Sequence, residues 1–550
     1  MNKKRVLCVF MAAAMAMGTL AGCGGQDKGK GESKGSDDSA KGEVTVYERD
    51  ENGYPDLKGE KITIWHQLTG ANAQATSDLG EYKAIQELEK KLNCEIEFVH
   101  PPVGQEKDNF TILMADTELP DMIFCSGIDS YYPGGVEVAY EDGILMDYTE
   151  WISEETTPNF YKMITENQDI KKMVSDDEGR IIRLGTKFCG SEEADLNFSG
   201  LLIRSDYLEQ TGMEIPTTIE EWTQLFAKMK EMGIEYPLSL AGNNGMGAFF
   251  DSNIFSSAYG ISAGDFYKNE DGKITYGPYE DSYKEYLTQL KEWFEAGYIN
   301  PDFTTQKESD VMSQAADDKV GSMCVHLYTY GTEYYLTTEK KDESKSLVPA
   351  PVPTLNKGDE LPGLRPSSIS LGDYKYITAD AKNPGACMAL LDALYLEDID
   401  LLLANGIEGV AYDLEDGVPV PREIPTDADK DTLLSMAPQQ WHTQEDTDLN
   451  YILTKKYNKG CQDEALTLWK EQKTDQMISK FLLLNVEESE VKGTYLTDLQ
   501  TYVEEMALKF IMGQESLDKF EEYQENLKNM HVEELIATYQ AATDRFETRK

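Results

Sequence analysis

Apolar positions change period several times along the chain, and each change predicts an element. Residues 61–65, Lys-Ile-Thr-Ile-Trp, alternate as a half-buried strand does, and beyond Asp78 the positions Tyr82, Ile85, Leu88 and Leu92 recur at helical spacing. Residues 95–99, Glu-Ile-Glu-Phe-Val, alternate again. Strand, helix, strand in that order predicts a parallel sheet covered by helices. A second round follows, with a helix over 110–115, a buried strand over 119–125 and a further apolar segment at 144–149 behind a Gly143 turn. Thr217 and Thr218 before Ile219-Glu220-Glu221-Trp222 predict a helix start with acidic residues in its first turn, running through Leu225 and Met229 to a stop at Gly233. Asp271-Gly272 before Lys273-Ile274-Thr275-Tyr276 marks a hairpin, and residues 282–297 an amphipathic helix ending in Gly. Prolines at 349, 351, 353 and 362 bar long regular structure from 347–363, which predicts a crossing or hinge segment. From Leu433 to Phe546 the periodicity is almost wholly helical.

The start of the chain has a different logic. Lys3, Lys4 and Arg5 precede an uncharged run from Val6 to Ala21, which leads into Leu20-Ala21-Gly22-Cys23. That order of charge, apolar run and small residues predicts a cleavable signal peptide over 1–22. Leu-Ala-Gly-Cys looks like a bacterial lipobox, so Cys23 is expected to carry lipid and hold the protein on the outer face of the cytoplasmic membrane. Residues 24–42 lack large apolar side chains and read as a flexible tether.

Composition narrows the function by exclusion. A formal net charge of −49 repels phosphate backbones, which excludes nucleic acid as a partner. Cys94, Cys125, Cys189, Cys324, Cys387 and Cys461 are scattered singly, so neither metal-ligand spacing nor a disulfide framework is evident. With 100 Asp and Glu residues, carboxylate pairs fit for glycosidase chemistry arise by chance and carry no information. The spacing Gly-x-Ser-x-Gly occurs at 31–35, within the tether, and at 260–264, neither of them behind a predicted strand as a nucleophile elbow requires, and the His-Glu-x-x-His and Walker patterns are absent. The length predicts two or three domains by the usual measure of roughly 100–200 residues each.

The chain is instead notable for aromatic and polar residues in loop-like contexts. Sugars present flat C–H faces rimmed by hydroxyls, so aromatic platforms beside hydrogen-bonding groups suit them. The candidate ligand contacts are Trp65, His66, Ser126, Tyr131, Phe249, Tyr259, His326, Tyr328, Tyr330, Arg365 and Trp441. Trp65 to Gln67 and Ser126 to Gly127 carry most weight, because ligands of open α/β sheets bind beyond the carboxyl ends of strands.

Six stretches together resemble the extracellular solute-binding proteins of family 1 of ABC importers, in the long lipoprotein branch of Gram-positive bacteria associated with oligosaccharides. They are Leu119-Pro-Asp-Met-Ile-Phe124; Leu202-Ile-Arg-Ser-Asp-Tyr-Leu208 with Gly212 and residues 216–222; Glu295-Ala-Gly-Tyr-Ile-Asn-Pro-Asp-Phe303; Lys319-Val-Gly-Ser-Met323; residues 404–413; and residues 510–517 with Tyr523 and residues 539–545. The resemblance implies an α/β fold of the periplasmic-binding-protein type: a two-lobed clamshell with a ligand cleft between lobes and a largely helical C-terminal third. The solute-binding region is expected over 43–550, with one lobe mainly over 60–200 plus a return segment and the other over 205–350 plus parts of 380–550. It further implies an oligosaccharide ligand, permease subunits as partners, a monomer, and neither enzymatic activity, cofactor nor metal. Some alginate-binding relatives carry an Asp/Asn-rich calcium loop where this chain has Leu240-Ala-Gly-Asn-Asn-Gly-Met-Gly247, so no calcium is expected there and uronate specificity is in doubt. The competing readings are a peptide-binding protein, a lipid-anchored glycoside hydrolase or lyase, and an adhesin.

Overall fold

In chain order the strands are β1 (Glu60–His66), β2 (Cys94–Val99), β3 (Met122–Cys125), β4 (Ser199–Arg204), β5 (Tyr236–Leu240), β6 (Phe266–Lys268), β7 (Ile274–Tyr276), β8 (Val320–His326), β9 (Leu347–Ala350), β10 (Tyr374–Ile377), β11 (Tyr412–Glu415) and β12 (Val418–Pro421). They belong to a computed structural model that describes residues 44–550 apart from 117, 126–127, 186–196, 243–245, 251, 367–373, 416, 423, 426, 439–440, 442–457, 471 and 550. The expected signal segment 1–22, the tether with Cys23, and Ser126 lie outside the described residues.

Two four-stranded sheets organise the compact unit Thr45–Lys550. The first has the order β10-β3-β1-β2, with β1 parallel to both β2 and β3 and β10 antiparallel at the edge. Its register places Ile62 beside Ile96 and Ile64 beside Met122, so apolar side chains stack in rows. Helix Lys83–Leu92 covers it by burying Ala84, Ile85, Leu88 and Leu92 along one face; Lys90 and Lys91 in its last turn complement the helix dipole. Residues 47–184, 374–403, Trp441 and Phe481 supply the core on this side, the N-lobe.

The second sheet has the order β5-β8-β4-β9, parallel between β5 and β8 and antiparallel elsewhere. On one face, helix Ile219–Glu231 starts where the Thr218 hydroxyl accepts the N–H of Glu221 at 3.2 Å, and it buries Trp222, Leu225, Phe226 and Met229. Helices Asp281–Glu295 and Val486–Ile511 extend that core. Helices Glu308–Ala316 and Gln462–Trp469 cover the other face. This is the C-lobe.

Within the apolar segment 144–149, Leu145 makes an isolated antiparallel bridge to Thr378. The structure corrects two expectations. The proline-rich segment 347–363 stays on the C-lobe, since residues 347–350 are β9 on the sheet edge, where Pro349 lacks an N–H that no neighbour needs, and Thr354 bridges Thr218. The C-terminal third is helical at Gln462–Trp469, Val486–Ile511, Phe520–Asn529 and Val532–Thr548, but between the first two helices the chain leaves the C-lobe and returns. Met477 bridges Tyr267 of the C-lobe, whereas Phe481 and Leu483 are buried in N-lobe clusters.

Glycines report how closely the layers approach. A Cβ on Gly200 in β4 would lie 2.4 Å from the indole of Trp469, whose Nε1 donates to the carbonyl of Ala350 at 3.0 Å. The Gly200→Ala variant is therefore expected to lose about 1–3 kcal/mol of stability by overpacking. Gly493, inside helix Val486–Ile511, has open space around it, and Gly493→Ala is expected to gain up to about 1 kcal/mol. Chemical denaturation of both variants checks the contrast.

Candidate functional site

The connections between the sheets locate the cleft. Leu184 on the N-lobe pairs with Lys375 through N–H···O bonds of 2.8 and 3.1 Å, and the next described residues after Gly185, Asn197 and Phe198, stand just ahead of β4 on the C-lobe. In the opposite sense, Arg365 and Pro366 on the C-lobe precede β10, which begins at Tyr374 on the N-lobe. The Arg365 guanidinium joins the two passages at the C-lobe, because Nη2 donates to the carbonyl of Ser199 at 2.6 Å and Nη1 to that of Ser252 at 2.6 Å. The chain thus crosses in both directions between the sheet edge that carries His66, Cys125 and Tyr374 and the edge that carries Ser199 and His326. For the parallel strands these are the carboxyl ends, where open α/β sheets bind ligands.

On the C-lobe side the end of β8 is elaborated. The backbone N–H of His326 donates to Glu308 Oε1 at 3.0 Å, and its ring Nδ1 accepts the N–H of Tyr328 at 3.1 Å. Neutral imidazole with Nδ1 accepting carries its proton on Nε2, a hydrogen-bond donor. Burial pulls the His326 pKa down, against Glu308, which favours that neutral form. Phe198 stacks on the same ring at 6.0 Å and 28°. Tyr328 stands 61 % exposed beside them. On the N-lobe side half-buried Tyr131 packs on Phe110 at 5.7 Å, with its hydroxyl 3.5 Å from Gln67 Oε1. An exposed phenol and a stacked aromatic pair at one edge, and a half-buried phenol beside the Gln67 amide at the other, are groups suited to a ligand with both apolar faces and hydroxyls.

Residues 72–399 match the model of the bacterial extracellular solute-binding protein family. The chain belongs to that family. Among curated relatives of this solute-binding protein, the polygalacturonan/rhamnogalacturonan-binding protein YtcQ of Bacillus subtilis (strain 168) is 22 % identical over 98 % of this chain and 99 % of its own. Similar solved structures include a human-milk-oligosaccharide-binding, ABC-transporter-associated solute-binding protein of Bifidobacterium longum infantis, with TM-score 0.69 and 16 % identity over 90 % of this chain and 100 % of that one. The substrate-binding protein FusA of Streptococcus pneumoniae, in complex with kestose, superposes with TM-score 0.67 and 17 % identity over 89 % of this chain and 100 % of that one. These likenesses fix a periplasmic-binding-protein-like fold.

Most of the residues singled out in the solute-binding protein's sequence are core. Trp65 is buried, edge-on to Phe110 at 5.7 Å, with its Nε1 donating to Asn109 Oδ1 at 3.3 Å. Phe249 is buried against Phe303, and Tyr330 is buried with its hydroxyl donating to Glu339 at 2.7 Å. Tyr259 is half-buried at the C-lobe core, 5.8 Å from Tyr286. Trp441 is buried among His66, Phe98 and Phe124. Arg365 is a clamp rather than an exposed cation: it is buried, Nε has no acceptor, and burial, opposed by the Cys324 thiol, lowers its pKa to about 10. For Trp65 and Tyr330 the reason is position: each lies at or just past the end of a buried strand and packs inward, although its chain neighbours read as loops. Phe198 escaped the sequence reading; the signal available was its place just ahead of the apolar run 201–203. Among the described residues no group of three or more His, Cys, Asp or Glu side chains is arranged to hold a metal ion, and no helix is long and apolar enough to cross a membrane. Part of the 240–247 loop, residues 243–245, lies outside them.

His66 has become a structural group with a pH signature. It is buried, its ring lies parallel to Trp441 at 6.0 Å and 6°, and Nδ1 is 2.6 Å from the carbonyl of Gln67. Burial lowers its pKa from 6.5 to about 3; the Gln67 carbonyl opposes the shift and the Lys375 charge adds to it. The fold holds His66 neutral, so its contribution is complete above the unfolded value near 6.5 and is lost as pH falls from there toward 3. His66→Phe keeps a stacking ring and removes the titration. Between pH 6.5 and 5 the variant is expected to lose about 2 kcal/mol less stability than the native protein, read as the difference in denaturation midpoints.

Proposed function

We propose that this chain is the binding component of an ABC importer, held outside the cell by lipid on Cys23, which captures an oligosaccharide between its lobes and hands it to membrane permease subunits. What supports this reading is the two sheet edges between which the chain crosses in both directions, with Tyr328 and the Phe198–His326 stack at one and Tyr131 at the other. The relatives support it: YtcQ is named for polygalacturonan and rhamnogalacturonan, and FusA is seen with kestose. On this reading the protein acts as a monomer, performs no chemistry and closes about its hinge on ligand, a shape the permease distinguishes from the empty form. Captured sugar is in contact with both lobes, so binding energy is spent on closure and not on bond breaking.

Residues 45–550, the compact unit, can be titrated with galacturonate, fructose, mannose, xylose and glucose oligomers and with peptides. A ligand at 100 times its dissociation constant is expected to stabilise the protein by about 2.7 kcal/mol, with no product formed. Tyr328→Ala is expected to weaken that ligand about 5- to 30-fold, the loss of an aromatic contact worth roughly 1–2 kcal/mol, with thermal stability of the empty protein unchanged. Product formation would replace the binding reading with an anchored hydrolase, and a response to peptides alone would change the cargo. For the anchor, Cys23→Ser is expected to release the protein into the medium, measured by fractionation of cells and supernatant.

A further inference from the structure

We propose that the last turn of the C-terminal helix, Val532–Thr548, with Arg549 just beyond it, positions the lobes: it clamps them together outside the cleft and so sets how tightly ligand is held. The helix is rooted on the C-lobe. Val532 and Leu535 lie in its core, Tyr539 stacks on Phe266 at 4.4 Å, and Gln540 Oε1 accepts the N–H of Ile274 at 2.8 Å. Its end engages the other lobe. Phe546 packs against the N-lobe core with the Lys172 ammonium 4.8 Å from its ring.

Two guanidiniums complete the clamp. Arg545 Nε meets Asp177 Oδ2 at 2.7 Å while Nη1 and Nη2 take the two oxygens of Glu488 at 2.5 Å each, a bidentate fork. Arg549 Nη2 meets Asp177 Oδ1 at 2.6 Å, and its Nη1 donates to the carbonyls of Ser175 at 2.5 Å and Lys172 at 3.2 Å. Asp177 thus serves two arginines. Burial pushes its pKa up, but the two guanidiniums overcome this and leave the carboxyl below its usual range.

The placement of these groups gives the clamp its mechanical meaning. Asp177 stands on an N-lobe turn that is itself braced, with Arg180 Nε on Asp176 at 2.5 Å and Arg180 Nη2 on Glu137 at 3.2 Å. The turn is closed by the bridge of Ser175 to Ile181, three residues before Leu184, where a hinge passage begins. Glu488 lies in the first turn of helix Val486–Ile511, just after the chain returns from the N-lobe at Phe481 and Leu483. Arg545 therefore ties together an N-lobe turn, the helix that emerges from the hinge, and the end of the chain. Such a tie restricts the range of lobe orientations in the empty protein, and a smaller range leaves a larger fraction competent to bind.

The proposal rests on the two-lobed closure described above, and its test separates the two. Fluorophores attached through bio-orthogonal residues at exposed Val103 of the N-lobe and Met232 of the C-lobe report lobe separation in the ligand-free protein, with no sugar required. R545A/R549A is expected to broaden the distance distribution, R545K/R549K to restore it in part, and D177N, a milder change made from the other lobe, to broaden it at low and high salt alike. Affinity for a galacturonate trimer and for kestose is then measured; whichever binds the native protein is expected to bind R545A/R549A at least fivefold more weakly. Unchanged distances in both R545A/R549A and D177N would overturn the clamp. Broadened distances with unchanged or tighter binding would overturn its role in affinity, and failure of both sugars to bind the native protein bears on the proposed cargo while the distance measurement still decides the clamp.

Discussion

The hinge depends on one arrangement: two passages of opposite direction that are fastened to each other at both ends. At the N-lobe the fastening is the reciprocal pair of main-chain bonds between Leu184 and Lys375. At the C-lobe it is the Arg365 guanidinium, donating to Ser199 beside one passage from the start of the other. These fastenings hold the ends of the two crossings together, beside the further link made by the segment through Phe481 and Leu483. Arg365 achieves this by burying a charge whose hydrogen bonds to described residues go to two main-chain carbonyls, a site usually expensive for an ion. Carbonyl acceptors are the ones available where strands end, because the last residues of a sheet have main-chain oxygens left unpaired.

The same logic explains where charge sits. The protein carries a net charge of −49, yet the side chains of Arg183, Lys375 and Arg365 are all buried beside the passages. Arg183 reaches the carbonyl of Phe481, on the segment that enters the N-lobe and returns, and lies over the ring of Tyr374 at 4.5 Å. Cations with long stems can fasten main chain and pack on aromatic rings at once. The acidic excess lies elsewhere, much of it in first turns of helices such as residues 397–400 and 486–488, where it complements the dipole.

Much of the framework was legible in the sequence. The alternation at 61–65 and 95–99, the helical spacing from Tyr82 to Leu92, the Thr218 cap and the Asp271-Gly272 turn each mark an element found at that place, because local period and turn chemistry act within a few residues. The site was much less legible. Trp65, Phe249, Tyr330 and Trp441 stand near loops in the sequence but beneath helices in space. Tyr328, two residues before Tyr330, faces solvent while Tyr330 bonds Glu339 inside. Helical residues two apart point to opposite faces, so only one of the pair can be inside; which one is decided by helix Gln462–Trp469, more than a hundred residues later, which packs in one cluster with Tyr330. The proline-rich segment misled for a related reason, since an edge strand tolerates what an inner strand cannot.

The N-lobe sheet is finished by β10, which arrives only after the whole of the C-lobe sheet has been traversed. A ribosome therefore exposes β3 as a bare edge, with Ile123 and Phe124 unpaired on one side, until residue 377 has been made. Bare apolar edges are templates for wrong pairing. The later pieces of the N-lobe, Trp441, Phe481 and Phe546, come later still, the last of them within five residues of the end of the chain. The core of this lobe therefore closes only when segments far apart in the chain, from Tyr47 to Phe546, have come together, well after the C-lobe sheet has all its strands.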